Sequence, residues 1–117
     1  HIENHVLKLM GKPSHQSLLK FKNLFFRLSK LAGKNQYLTY YLIAAHPGCH
    51  EKDMHSLREY ASRKLQIHPE QIQIFTPTPS TYSTLMYYTQ EDPFTKERIF
   101  VEKNQNRKIQ QKTIIIR

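Results

Sequence analysis

Apolar positions recur every three or four residues through the first third of the chain. Leu18, Phe21, Phe25 and Leu28 form one face of a helix, which Leu24 and Leu31 extend. Ser14 stands where an N-cap hydroxyl satisfies a free first-turn amide, and Gly33 stands where a C′ residue ends the helix. Residues 37–45 (Tyr-Leu-Thr-Tyr-Tyr-Leu-Ile-Ala-Ala) then run nearly unbroken in apolar and aromatic side chains. This pattern predicts a strand buried on both faces of a parallel sheet. His46-Pro47-Gly48 breaks it. Met54, Leu57, Ala61 and Leu65 predict a second amphipathic helix, with Glu51 and Asp53 near its positive end. Residues 71–75 predict a short strand that Pro77 and Pro79 must end, because proline lacks a ladder donor.

The order helix, strand, helix, strand with short links is that of βαβ units, so the expected fold class is α/β with parallel strands. A right-handed crossover pairs 37–45 with 71–75 in parallel, and both helices are expected to pack on that sheet. Two strands leave open edges, which suits a slice of a (β/α) partial TIM-type barrel better than a finished sheet. Further on, residues 83–88 read as a short helix or turn. Asp92-Pro93-Phe94 reads as a turn, and Ile99-Phe100-Val101 as an edge strand. Residues 102–117 are rich in Gln, Asn, Lys and Arg, so an irregular, mobile or weakly helical, basic C-terminal tail is expected beyond a barrel portion at 1–101.

Charge alters this picture only locally. The net charge of +9 suggests a polyanion partner, but residues 14–34 carry +5 and 102–117 carry +4, while 35–101 carry −1. Lys20, Arg27, Lys30 and Lys34 fall on a stripe of the first helix about 80° wide. A solvated outer face accounts for it. A small nucleic-acid-binding module is therefore a rival reading and not the favoured one, and a purely structural interaction domain is a second rival. The hydrophobic share of 38% supports a modest core. No apolar run approaches the about 18 residues that span a bilayer, so no membrane partner is expected. One cysteine, Cys49, excludes an internal disulfide, and a reducing cytoplasm is the expected compartment. The absence of an initiator Met suggests a piece of a longer protein.

Each predicted strand ends in a loop, at His46-Pro47-Gly48 and at Phe75-Thr76-Pro77. In (β/α) barrels this rim carries the chemistry. Glycine there allows close approach of backbone to a ligand, and amides at the following helix start can meet a carboxylate or phosphate. His46, Cys49, His50 and His55 do not make a convincing metal set, and Cys49 beside His46 in sequence does not make a convincing nucleophilic dyad. Both are read as turn and helix-start residues. Tyr37, Tyr40 and Tyr41 are read as core or barrel wall.

Several stretches together resemble the YgiQ-like radical S-adenosylmethionine (SAM) proteins. They are 6–13 (Val-Leu-Lys-Leu-Met-Gly-Lys-Pro), 36–49 ending in His46-Pro47-Gly48-Cys49, 71–81 (Gln-Ile-Gln-Ile-Phe-Thr-Pro-Thr-Pro-Ser-Thr), and Met86-Tyr87-Tyr88-Thr89 with Asp92-Pro93-Phe94. The match is collinear over nearly residues 1–103. It implies a [4Fe–4S] cluster and SAM in the intact parent, with His46, Pro47, Gly48, Phe75, Thr76 and Pro77 beside SAM. It also implies that the remainder of the parent barrel is the partner of this piece. The family's Cys-x3-Cys-x2-Cys loop is absent, so the chain alone is expected to hold no cofactor and to be inactive. The resemblance does not define a substrate.

Overall fold

The structure, a computed structural model, describes residues 1–116. Five helices, α1 (Asn4–Leu9), α2 (His15–Leu31), α3 (Glu51–Tyr60), α4 (Tyr82–Thr89) and α5 (Gln105–Ile116), accompany two strands, β1 (Ile43–Ala44) and β2 (Gln73–Ile74). A π-helical turn at Ala61–Leu65 continues α3. The strands pair in parallel, Ile43 opposite Gln73 and Ala44 opposite Ile74. Gln73 N–H donates to Leu42 O at 3.1 Å and Phe75 N–H to Ala44 O at 2.8 Å. The mixed helix and sheet class and the parallel pairing therefore agree with the sequence reading. Among the described residues the sheet has two strands, too few to show a partial barrel.

The core gathers Val6, Leu42, Ala44, Cys49, Met54, Leu57, Ile72 and Ile115. As the 3.6-residue pattern requires, Met54, Leu57, Ala61 and Leu65 all turn inward from α3 and its π-helical extension. The 37–45 run behaves differently. Only 43–44 is strand, and Tyr37 and Tyr41 are 85% and 73% exposed. The expected double-sided burial is not met at these two tyrosines, which lie outside the paired residues Ile43–Ala44. Tyr40 is partly buried against the core, with a hydroxyl that has no hydrogen-bond partner.

Helix α2 begins after Ser14 as expected, yet the Ser14 side chain makes no capping bond. Its other end is a Schellman closure. Gly33 has φ +65°, with Gly33 N–H to Lys30 O at 3.1 Å and Lys34 N–H to Ser29 O at 3.0 Å. The expectation that α2 covers the sheet is not met. Phe21, Leu28 and Leu31 on its apolar stripe remain exposed, and Leu18 and Phe21 face residues 39–43 across a cavity of about 500 Å³.

Residues 105–116, expected within an irregular tail, form a helix docked on α3 and both strands. Its polar composition hid this, because two of its buried side chains are polar and satisfied. Gln111 Oε1 accepts from Ala45 N–H at 3.0 Å, and its Nε2 donates to Cys49 O at 3.4 Å. Lys108 Nζ donates to Tyr87 OH at 2.9 Å and lies 4.8 Å from the Tyr87 ring centroid. The predicted 99–101 edge strand is likewise absent, and a single antiparallel bridge joins Glu91 and Arg98 instead. Replacing Gln111 by Ala orphans the buried Ala45 amide, so Gln111→Ala should lower unfolding stability by about 1–3 kcal/mol. Urea titration followed by circular dichroism measures this, and an unchanged midpoint would refute it.

Candidate functional site

Parallel pairing brings the two strand-end loops side by side. The His46 and Phe75 rings meet edge to face, with centroids 5.2 Å apart. The two loops differ in accessibility. His46, Pro47 and Gly48 are buried, whereas Phe75 and Pro77 are half-buried and Thr76 is exposed.

β1 ends at Ala44, the φ of +58° at Ala45 starts the reversal, and Cys49 N–H closes it onto His46 O at 2.9 Å. Gly48 adopts φ +85° and donates its N–H to Phe100 O at 2.7 Å. A Cβ at Gly48 would collide with Leu9 Cδ1. The positive φ favours glycine here, and Leu9 would have to shift to admit a Cβ. The His46 ring is committed at both nitrogens, Nδ1 to Pro47 O at 2.9 Å and Nε2 to Ser83 Oγ at 2.8 Å. Neutral imidazole with hydrogen on Nδ1 satisfies both, accepting the Ser83 hydroxyl at Nε2. Burial lowers the His46 pKa below its ordinary 6.5, overriding the opposing pull of the Pro47 carbonyl.

Ser83 sits in the first turn of α4, which Thr81 caps by accepting Thr84 N–H at 3.1 Å. It also lines a cavity of about 650 Å³ with Lys8, Met10, Thr81, Asp92 and Phe94. None of the six loop residues named from sequence lines that cavity.

The histidines near Cys49 do not converge. His50 stacks on Phe100 at 4.3 Å, and His55 Nε2 lies 3.9 Å from Glu51 Oε1 on the surface. Cys49 Sγ contacts His1 Nε2 at 3.3 Å and Met54 Sδ at 3.5 Å. Burial, reinforced by the Asp53 charge, pushes the Cys49 thiol up to about 12. It is a protonated thiol, unsuited to nucleophilic attack. A grouping that the sequence reading missed is Glu3, His5 and Asp53, whose donor atoms lie within 4.8 Å of one another. Their separation by almost fifty positions left no spacing signal.

Residues 70–116 match a family described as a domain of unknown function, DUF3362. Over 98% of its length the chain is 58% identical to a UPF0313 protein of Fusobacterium nucleatum, of which it covers 20%. The chain belongs to the UPF0313 family. It is also 45% identical over 89% of its length to a UPF0313 protein of Thermotoga maritima, covering 18% of that protein, and 39% identical over 98% to one from Clostridium perfringens. It thus spans about a fifth of the length of the curated UPF0313 proteins it matches. No solved structure matches it. Among the described residues no helix is long and apolar enough to cross a membrane.

Two outcomes follow from this geometry. Gly48→Val forces a branched side chain into a left-handed conformation and against Leu9, so it should cost about 2 kcal/mol or more in urea unfolding. Wild-type stability would exclude the structural role. For His46, the unfolded chain binds more protons than the folded one below about pH 6.5, so its contribution is complete above that value and is lost on acidification. The acid limb of a stability–pH profile should flatten in His46→Gln.

Proposed function

We propose that this chain is the rear portion of the catalytic barrel of a radical SAM enzyme, with the cluster-binding thiolates supplied from elsewhere in the full-length UPF0313 protein. One observation carries the reading: parallel β1 and β2 set the loops at 46–48 and 75–77 beside each other. The collinear resemblance to YgiQ-like radical SAM proteins adds the chemistry. In such enzymes the cluster cleaves SAM reductively to a 5′-deoxyadenosyl radical.

Within this reading the two loops have different tasks. The Gly48 amide is already used by Phe100 O, and the His46 ring is used at both nitrogens. That loop acts as a rigid support. Phe75, Thr76 and Pro77 are the residues open to a ligand, offering an aromatic face and a hydroxyl. Thr76 Oγ1 donates to Ile74 O at 3.3 Å, which leaves its oxygen lone pairs available. Cys49 supplies no thiolate.

Given iron, sulfide and reductant, this chain alone should develop no [4Fe–4S] absorbance, because one protonated thiol cannot replace three thiolates. In the full-length protein with its cluster assembled, Phe75→Ala should weaken SAM binding about tenfold, or about 1.4 kcal/mol. Lys30→Ala on the exposed face of α2 should change neither cluster nor SAM binding. A full-length protein that assembles a cluster but neither binds nor cleaves SAM would overturn the proposal.

A further inference from the structure

We infer that Glu3, His5 and Asp53 form a site for a divalent metal ion of the zinc or manganese type, separate from any thiolate-held iron–sulfur centre. His5 Nε2 and Asp53 Oδ2 are 3.1 Å apart, and a Glu3 carboxylate oxygen completes a set within 4.8 Å. Donors about 2.1 Å from one ion lie roughly 3 Å apart at adjacent corners of an octahedron, so the His5–Asp53 pair already has the required bite. Glu3 stands at the N-cap of α1 in extended conformation and makes no capping bond, so its carboxylate is free to turn inward.

The fold fixes these donors. Glu3 and His5 flank the start of α1, and Asp53 lies in the first turn of α3. Val6 of α1 and Met54 and Leu57 of α3 share one core cluster, which locks the two helix starts together.

The two carboxylates outweigh the partial positive charge of about +0.5 at each of the two helix starts. Asp53 is 3% exposed, yet among the described residues its sole ion-pair partner is His5, with no Lys or Arg in reach. Glu3 places a second negative charge beside it. Buried carboxylates are paired or bind metals, and two carboxylates with one neutral imidazole balance a divalent cation. His50 N–H occupies one lone pair of Asp53 Oδ2 at 2.8 Å and holds the carboxylate in place. The His5 side chain is 51% exposed, which leaves a route from solvent. The nitrogen and oxygen donor set suits zinc or manganese.

Chelator-treated chain is titrated with zinc and with manganese by isothermal calorimetry, and with cobalt to read the visible spectrum. A saturable single-site isotherm is expected. His5→Ala and Glu3→Gln, both outside the core, should each weaken it about tenfold or more, while His55→Ala on the outer surface of α3 should leave it unchanged. Absence of saturable binding, or equal isotherms in His5→Ala, Glu3→Gln and the parent, overturns the inference. A melting temperature lowered in His5→Ala in chain that binds none of the three ions would instead make Asp53 the partner of an imidazolium.

Discussion

A parallel sheet of two residues per strand cannot hold itself together, and here one side-chain amide does what a longer ladder would. Gln111 bonds the Ala45 N–H at the end of β1 and the Cys49 carbonyl at the start of α3. It therefore clamps the whole reversal between them. The reversal needs a clamp because it contains two positive-φ residues, Ala45 and Gly48, the first of which has a Cβ and costs about 1 kcal/mol to hold there. With the reversal held, His46 is buried against Ser83 and Phe75, and Gly48 against Leu9 and Phe100. The position of the first loop thus depends on a helix more than sixty residues away.

That dependence explains what the sequence reading could and could not reach. Parallel pairing was legible, because an apolar run, a Pro-Gly break at 47–48 and a helical repeat are local patterns with one sterically favoured connection. The burial of α3 was legible for the same reason. Helix α5 was not, since Lys108 and Gln111 look like solvent-facing residues until their partners Tyr87, Ala45 and Cys49 are known. Composition records polarity and is blind to whether a buried polar group is satisfied. The tyrosines at 37 and 41 failed in the opposite sense. They have core chemistry, but they precede the two paired residues of β1, and burial needs an element packed over the side chains.

The same reasoning locates the unmatched apolar surface. Phe21, Leu28 and Leu31 of α2 and Tyr37 and Tyr41 before β1 are all exposed. The curated relatives are about five times as long as this chain. Exposed rows of this kind are uncommon on a finished monomer surface. The basic stripe of α2 lies on a different face of the helix, so the charge excess and the apolar excess are separate features.

Within the strand-end loops, accessibility and rigidity run in opposite directions, and this decides which residues are available for chemistry. Glycine after a strand is commonly read as room for a ligand. At Gly48 the room is filled by Leu9 and the amide is bonded to Phe100. The histidine before it spends both nitrogens on Pro47 and Ser83. A group with every donor and acceptor engaged can position its neighbours but cannot bind without breaking what holds it. Phe75, Thr76 and Pro77 carry no comparable load, and their backbone leaves the ladder at Phe75 with its direction set by β1. An open segment held at one end by a fixed one has part of its ordering cost met on the buried side.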